Sequence, residues 1–140
     1  MPGYKKHLVI GSIVFIGLSI LILYYSLMPI TSLLIAAPLF LIYTLLPDCD
    51  CYNSKIRKYL EITFLIIIFS TILLYKNIII SIIPIVFIII MKLSKHRGFF
   101  HSIKAGILLS IPLLMIDNIL FIIALIGYIT HLILDRILKN

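Results

Sequence analysis

Lysine, arginine, aspartate and glutamate are absent from residues 8–28, and again from 30–46, 62–75, 78–91, 105–116 and 118–134. These uncharged runs constrain the fold more than any motif does. A soluble domain must cover its core with polar surface. A chain that is 63% hydrophobic and 12% charged, with mean hydropathy +1.26, has too little polar surface to do so. Each run of this kind reads as a helix placed in the ~30 Å hydrocarbon layer of a membrane.

The spacing predicts six such segments. They are Leu8 to Met28, Ile30 to Leu46, Tyr59 to Tyr75, Ile78 to Met91, Ser102 to Ile116 and Ile119 to Leu138. Pro29 and Pro47 are expected to end the first two, and Pro38 to kink the second. Lys76-Asn77 and Asp117-Asn118 read as turns. The fourth and fifth segments are short for full crossings. The expected fold is an all-α polytopic membrane bundle, forming a single domain over residues 1–140.

The chain carries a formal charge of +7. In a soluble protein that would suggest nucleic acid, but here the basic residues sort by side. Lys5, Lys6, Lys55, Arg57, Lys58, Lys92, Lys95, Arg97, Lys104, Arg136 and Lys139 fall on the side of the termini, and only Lys76 falls on the other. The positive-inside rule then predicts that both termini are cytoplasmic. Lys5 and Lys6 precede an apolar run with no small-residue cleavage site, so no signal peptide is expected. Cys49 and Cys51 are too close for an easy disulfide and lack the second pair of a zinc ribbon. They read as reduced thiols.

The same topology places His7, Asp48, Asp50, Glu61, His96, His101, His131 and Asp135 at one end of the segments. That is every histidine and every acid except Asp117. Ionisable groups at a membrane boundary are costly and default to a functional role. Imidazoles and carboxylates are the ligands of Zn²⁺, Mn²⁺ and Fe. His131 and Asp135, four apart, share one helix face with Tyr128 and Gly127 nearby. Asp48 and Asp50 follow a proline and can turn toward one point. His101 starts the fifth segment, and Gly98 lets the hinge before it bend. Plainer roles compete: an ion pair of Asp135 with Lys139, a helix cap at Asp48–Asp50, and a helix-dipole role for Glu61.

The pattern is His7; Leu46-Pro47-Asp48-x-Asp50; Ser54; His96-Arg97-Gly98-x-x-His101-Ser102; Gly127-Tyr128-x-x-His131-Leu132-x-x-Asp135. It resembles, over nearly the whole chain and in order, the YdjM-like family. These are small LexA-regulated inner-membrane proteins predicted to be metal-dependent hydrolases, with distant kinship to zinc-dependent phospholipase C and P1-type nucleases. The resemblance implies that His7, Asp48, Asp50, His101, His131 and Asp135 are metal ligands, with His96 a seventh. At one position the chain departs from it: Phe100 stands where the family usually has threonine, which removes a hydroxyl but no ligand.

The expected activity is hydrolysis of a phosphoester, a lipid phosphate or phosphodiester, at the cytoplasmic face of the inner membrane. Seven ligand-type groups exceed the needs of one tetrahedral ion, so two zinc ions are expected, with room for a third; Mn or Fe would also suit the donors. Asp48, His96 and Arg97 are the candidate catalytic residues, with Arg97 able to clamp a phosphate bidentately. Lys92, Lys95 and Lys104 would hold anionic headgroups. Membrane lipids are the expected partners, with no obligate protein partner. An ion or metal transporter without hydrolytic activity is the alternative, opposed by the one-sided placement of the ligands.

Overall fold

In the computed structural model, residues 4–73, 78–95 and 98–137 are described. His96 and Arg97, the Lys76-Asn77 turn and Lys139 lie outside them. Among the described residues the chain is all-helical: α1 Tyr4–Tyr24, α2 Ile30–Leu45, α3 Lys55–Leu73, α4 Ile78–Leu93, α5 Ile103–Ser110 and α6 Asn118–Ile137. Short 3-10 turns occupy Leu46–Asp50, Phe99–His101 and Ile111–Met115. Among the described residues, three helical stretches are long and apolar enough to cross a membrane: Tyr4–Tyr24, Ile30–Asp50 and Asn118–Ile137.

The chain divides into two compact units. One comprises residues 1–47 and 101–140, the other residues 48–100. In the first, α6 packs against α1, α2 and α5, and α1 packs on α2. Its apolar core is Ile22, Met28, Leu33, Ala36, Phe40 and Ile123. Its outer surface is equally apolar, with Val9, Ile13, Ile16 and Ile20 each about 60% exposed. Aliphatic burial therefore cannot be what holds these helices together in lipid; close backbone approach and polar contacts must do so. Gly127 provides the approach, since a Cβ there would lie 2.7 Å from the Phe40 carbonyl oxygen. Gly11 provides another, against the Thr44 methyl group. Tyr43 ties α2 to α5 by donating its hydroxyl to the Leu109 carbonyl at 2.7 Å.

The boundaries are set by local chemistry that differs in places from the sequence expectation. Pro29 does not end α1. The helix stops at Tyr24 because Ser26 takes a left-handed conformation, φ 50°. Ser26 N–H then bonds the Leu23 carbonyl and Leu27 N–H the Ile22 carbonyl, which together form a Schellman motif. Pro29 serves instead as the residue that opens α2. Asp117 is more than a turn residue. Its Oδ1 accepts from Ile119 N–H at 2.6 Å and Leu120 N–H at 3.2 Å, capping α6. The fifth segment is a helix of 8 residues followed by a 3-10 turn. Pro112 accounts for the change, because it cannot donate into an α-helical ladder.

In the second unit, α3 and α4 form an antiparallel hairpin. Ser54, rather than Asp48–Asp50, caps α3: its Oγ accepts from Arg57 N–H at 3.2 Å. Glu61 pairs with Arg57 one turn earlier, Nε to Oε1 at 3.1 Å. The Thr71 and Ser81 hydroxyls meet at 2.6 Å between the two helices. Phe100 is buried and sets its ring against Phe87 at 6.0 Å, so the departure from the family pattern is filled by aromatic packing. Gly98 has no positive φ. It is glycine because a Cβ would sit 2.8 Å from the Lys95 carbonyl oxygen.

Candidate metal centre

Four of the residues singled out in the sequence come together in the first unit. His7 lies near the start of α1, one turn in. It is placed there because α1 begins at Tyr4 and not at Leu8. His131 and Asp135 lie near the end of α6, on one face. His101 immediately precedes Ser102, whose side chain caps α5 by accepting from Ala105 N–H at 3.2 Å. The capping geometry fixes where the chain enters α5, and with it the position of His101.

The His7 and His131 rings stack, with centroids 4.2 Å apart and planes 16° from parallel. The His101 and His131 rings stand edge to face, 5.4 Å apart at 68°. His7 Nε2 is 3.5 Å from Asp135 Oδ1, and His101 Nε2 is 3.5 Å from Asp135 Oδ2. One ligand atom from each of His101, His131 and Asp135 lies within 4.8 Å of the others. His7 and His131 are fully buried, and the Asp135 side chain is only 12% exposed.

His131 is held in one tautomer. Its Nδ1 lies 2.8 Å from the Thr44 carbonyl oxygen. A carbonyl can only accept, so Nδ1 carries the proton and a neutral ring leaves its lone pair on Nε2. Pro47 adds no competing N–H at that carbonyl. In the 3-10 turn that follows α2, the donor for Thr44 would be the N–H of residue 47, and proline has none. The Thr44 carbonyl thus meets a histidine 87 residues away. Thr44 is itself fixed on both sides by Gly11 of α1 and Gly127 of α6, and its hydroxyl donates to the Phe40 carbonyl at 2.9 Å.

These residues fit a divalent ion. A ligating histidine usually donates its second ring N–H to a carbonyl or carboxylate, which fixes the ring and raises its basicity. His131 has that arrangement. The two His–Asp separations of 3.5 Å exceed the 2.7–3.2 Å of a hydrogen bond. His7 Nδ1 is buried with no hydrogen-bond partner among the described residues.

Asp48 and Asp50 lie on the turn after Pro47, at the start of the second unit, where Asp50 is buried. Arg57 is buried as well, above the Tyr52 ring at 5.5 Å. It is part of the packing of its own unit rather than a surface charge set only by topology. Sequence reasoning missed Thr44 and Gly11. A signal was present: Gly11 follows His7 by four and Gly127 precedes His131 by four, so each histidine has a small residue one turn away on its own face.

A family model described as YdjM inner membrane protein matches residues 1–140. No curated protein and no solved structure matches the chain.

Proposed function

The chain belongs to the YdjM inner membrane protein family, and within that membrane setting we propose that it is a metal-dependent hydrolase acting on a phosphoester of a lipid. The observation that carries this reading is the buried set of His7, His101, His131 and Asp135, with His131 pre-oriented by the Thr44 carbonyl. Three imidazoles and a carboxylate are a donor set suited to zinc. Residues 1–140 act as one functional domain in this proposal, and Asp48, Asp50 and His96 remain candidate ligands on the sequence pattern alone.

A divalent ion in such a site supplies Lewis acidity and an activated water at neutral pH. The chain's own residues do the rest. The Thr44 carbonyl keeps the His131 proton on Nδ1. Asp135 turns one carboxylate oxygen toward His7 and the other toward His101. Arg97 holds a phosphate oxygen pair.

Depth favours a lipid. Six residues separate His131 from the end of α6, about 9 Å of helix. Against a hydrocarbon core of ~30 Å, a helix end set at the edge of that core would put the cluster within its outer third. A lipid can leave its tails among the exposed isoleucines and present its phosphate there, whereas a soluble nucleotide gains nothing from such burial. The basic residues flanking the helix ends set this face toward the cytoplasm in the proposal.

Release of phosphate or headgroup from mixed lipid vesicles, with and without chelator, tests the reading. Chelator should abolish release, and Asp135→Asn should reduce it at least about 100-fold, beyond the 10–100-fold typical of residues that only orient a ligand. Chelator-insensitive release, or a wild-type rate in Asp135→Asn, would remove the proposal.

A further inference from the structure

We propose that Asp135 is a bridging carboxylate that joins two divalent ions, one shared with His7 through Oδ1 and the other shared with His101 and His131 through Oδ2. The inference rests on the metal-site reading above and adds to it the assignment of each side chain to an ion.

Distance is the first argument. Both carboxylate oxygens face a histidine Nε2, each at 3.5 Å, and the two histidines come from different elements. Two ligand atoms on one tetrahedral zinc, with bonds of about 2.1 Å, stand about 3.4 Å apart. Each His–Asp separation therefore has the length of one edge of a tetrahedral ion. The edges involve opposite oxygens of the same carboxylate, so a single ion does not account for both as such edges. Ions bridged in this way would have the spacing of two-metal hydrolytic sites, about 3.5–4 Å.

Ring orientation is the second argument, and it divides the histidines. An imidazole ligates in its own plane. The planes of His7 and His131 are nearly parallel, 16° apart with centroids 4.2 Å apart. For both rings to ligate one ion in their own planes, one of them would have to tilt. The planes of His101 and His131 cross at 68°, which lets their in-plane lone pairs meet near Asp135. His131 therefore belongs with His101, and His7 serves the other ion.

The test uses the full-length protein in detergent micelles, with zinc stoichiometry measured by elemental analysis and the paramagnetic spectrum recorded after loading with Mn²⁺ alone. The wild-type protein should bind two ions per chain and give the spectrum of an exchange-coupled manganese pair. His7→Gln and His101→Gln should each fall to one ion per chain, with an uncoupled spectrum. Asp135→Asn should lose the coupling. The wild-type result requires no variant to fold, and size-exclusion profiles check the variants. One zinc ion per wild-type chain, or two manganese ions without coupling, would overturn the bridge. If lipid hydrolysis nevertheless remained chelator-sensitive, the functional reading would stand without it. Absence of bound ion at any zinc or manganese concentration would overturn both.

Discussion

The α3–α4 hairpin and the α1–α2–α5–α6 unit both bury polar side chains among aliphatic ones, and they treat them differently. In the hairpin, polar groups are closed on one another. Thr71 and Ser81 meet at 2.6 Å, and Arg57 grips Glu61 at 3.1 Å. These are the distances of hydrogen bonds, and such pairs hold helices together in lipid. In the other unit the His–Asp separations remain at 3.5 Å, although the groups are buried and of complementary type. Polar groups that serve only packing collapse onto each other. In the proposed metal site, separations of this length are the ones that two ligands of one ion would have. The contrast separates the two units better than burial does, because both bury polar groups.

Four substitutions test that contrast. The largest effect is expected from Gly127→Ala. Its new methyl would press on the Phe40 backbone carbonyl, so α2 and α6 must separate. The cost should be about 1–3 kcal/mol in an unfolding titration in mixed micelles, with loss of bound zinc in parallel. Gly17 has open space around it, so Gly17→Ala should leave both quantities unchanged. Equal effects at the two glycines would mean that the close approach does not position the site.

Pro47→Ala should act more locally. It gives residue 47 an N–H that competes for the Thr44 carbonyl, and His131 loses its fixed tautomer. Zinc affinity, read by competition with a chromophoric chelator, should fall about tenfold, with little change in stability. Unchanged affinity would show that the carbonyl does not orient His131. The smallest effect belongs to the hairpin. Thr71→Val breaks the Thr71–Ser81 bond and should cost about 0.6 kcal/mol, the average for such bonds between membrane helices. It should leave zinc binding intact, and a loss of zinc there would erase the distinction between the two regions.

Much of the helical framework was legible in the chain. Uncharged runs gave six segments, and the structure has six α-helices among the described residues. The ends were less legible, because they depend on hydrogen bonds of one or two side chains. Ser26 ended α1 where Pro29 was expected to, and Ser54 capped α3 where the aspartates were an alternative. Among the candidate ligands, His7, His101, His131 and Asp135 could be grouped in advance because each lies at the same end of its segment. Thr44 could not be, since a threonine in an apolar run carries no sign that its carbonyl will meet a histidine.

The sequence by itself determined that this chain is helical and built for a membrane, and which ends of its helices carry ionisable groups. Those properties are local: helices in hydrocarbon satisfy their own backbones, and charges are tolerated only near its edges. Only the tertiary structure decided that His7 stacks on His131, that each oxygen of Asp135 faces a different histidine, and that the Thr44 carbonyl meets His131. Those relations depend on the register and rotation of α1, α2 and α6 against each other. Close contacts at Gly11, Thr44 and Gly127 set that register, and hydropathy does not encode it.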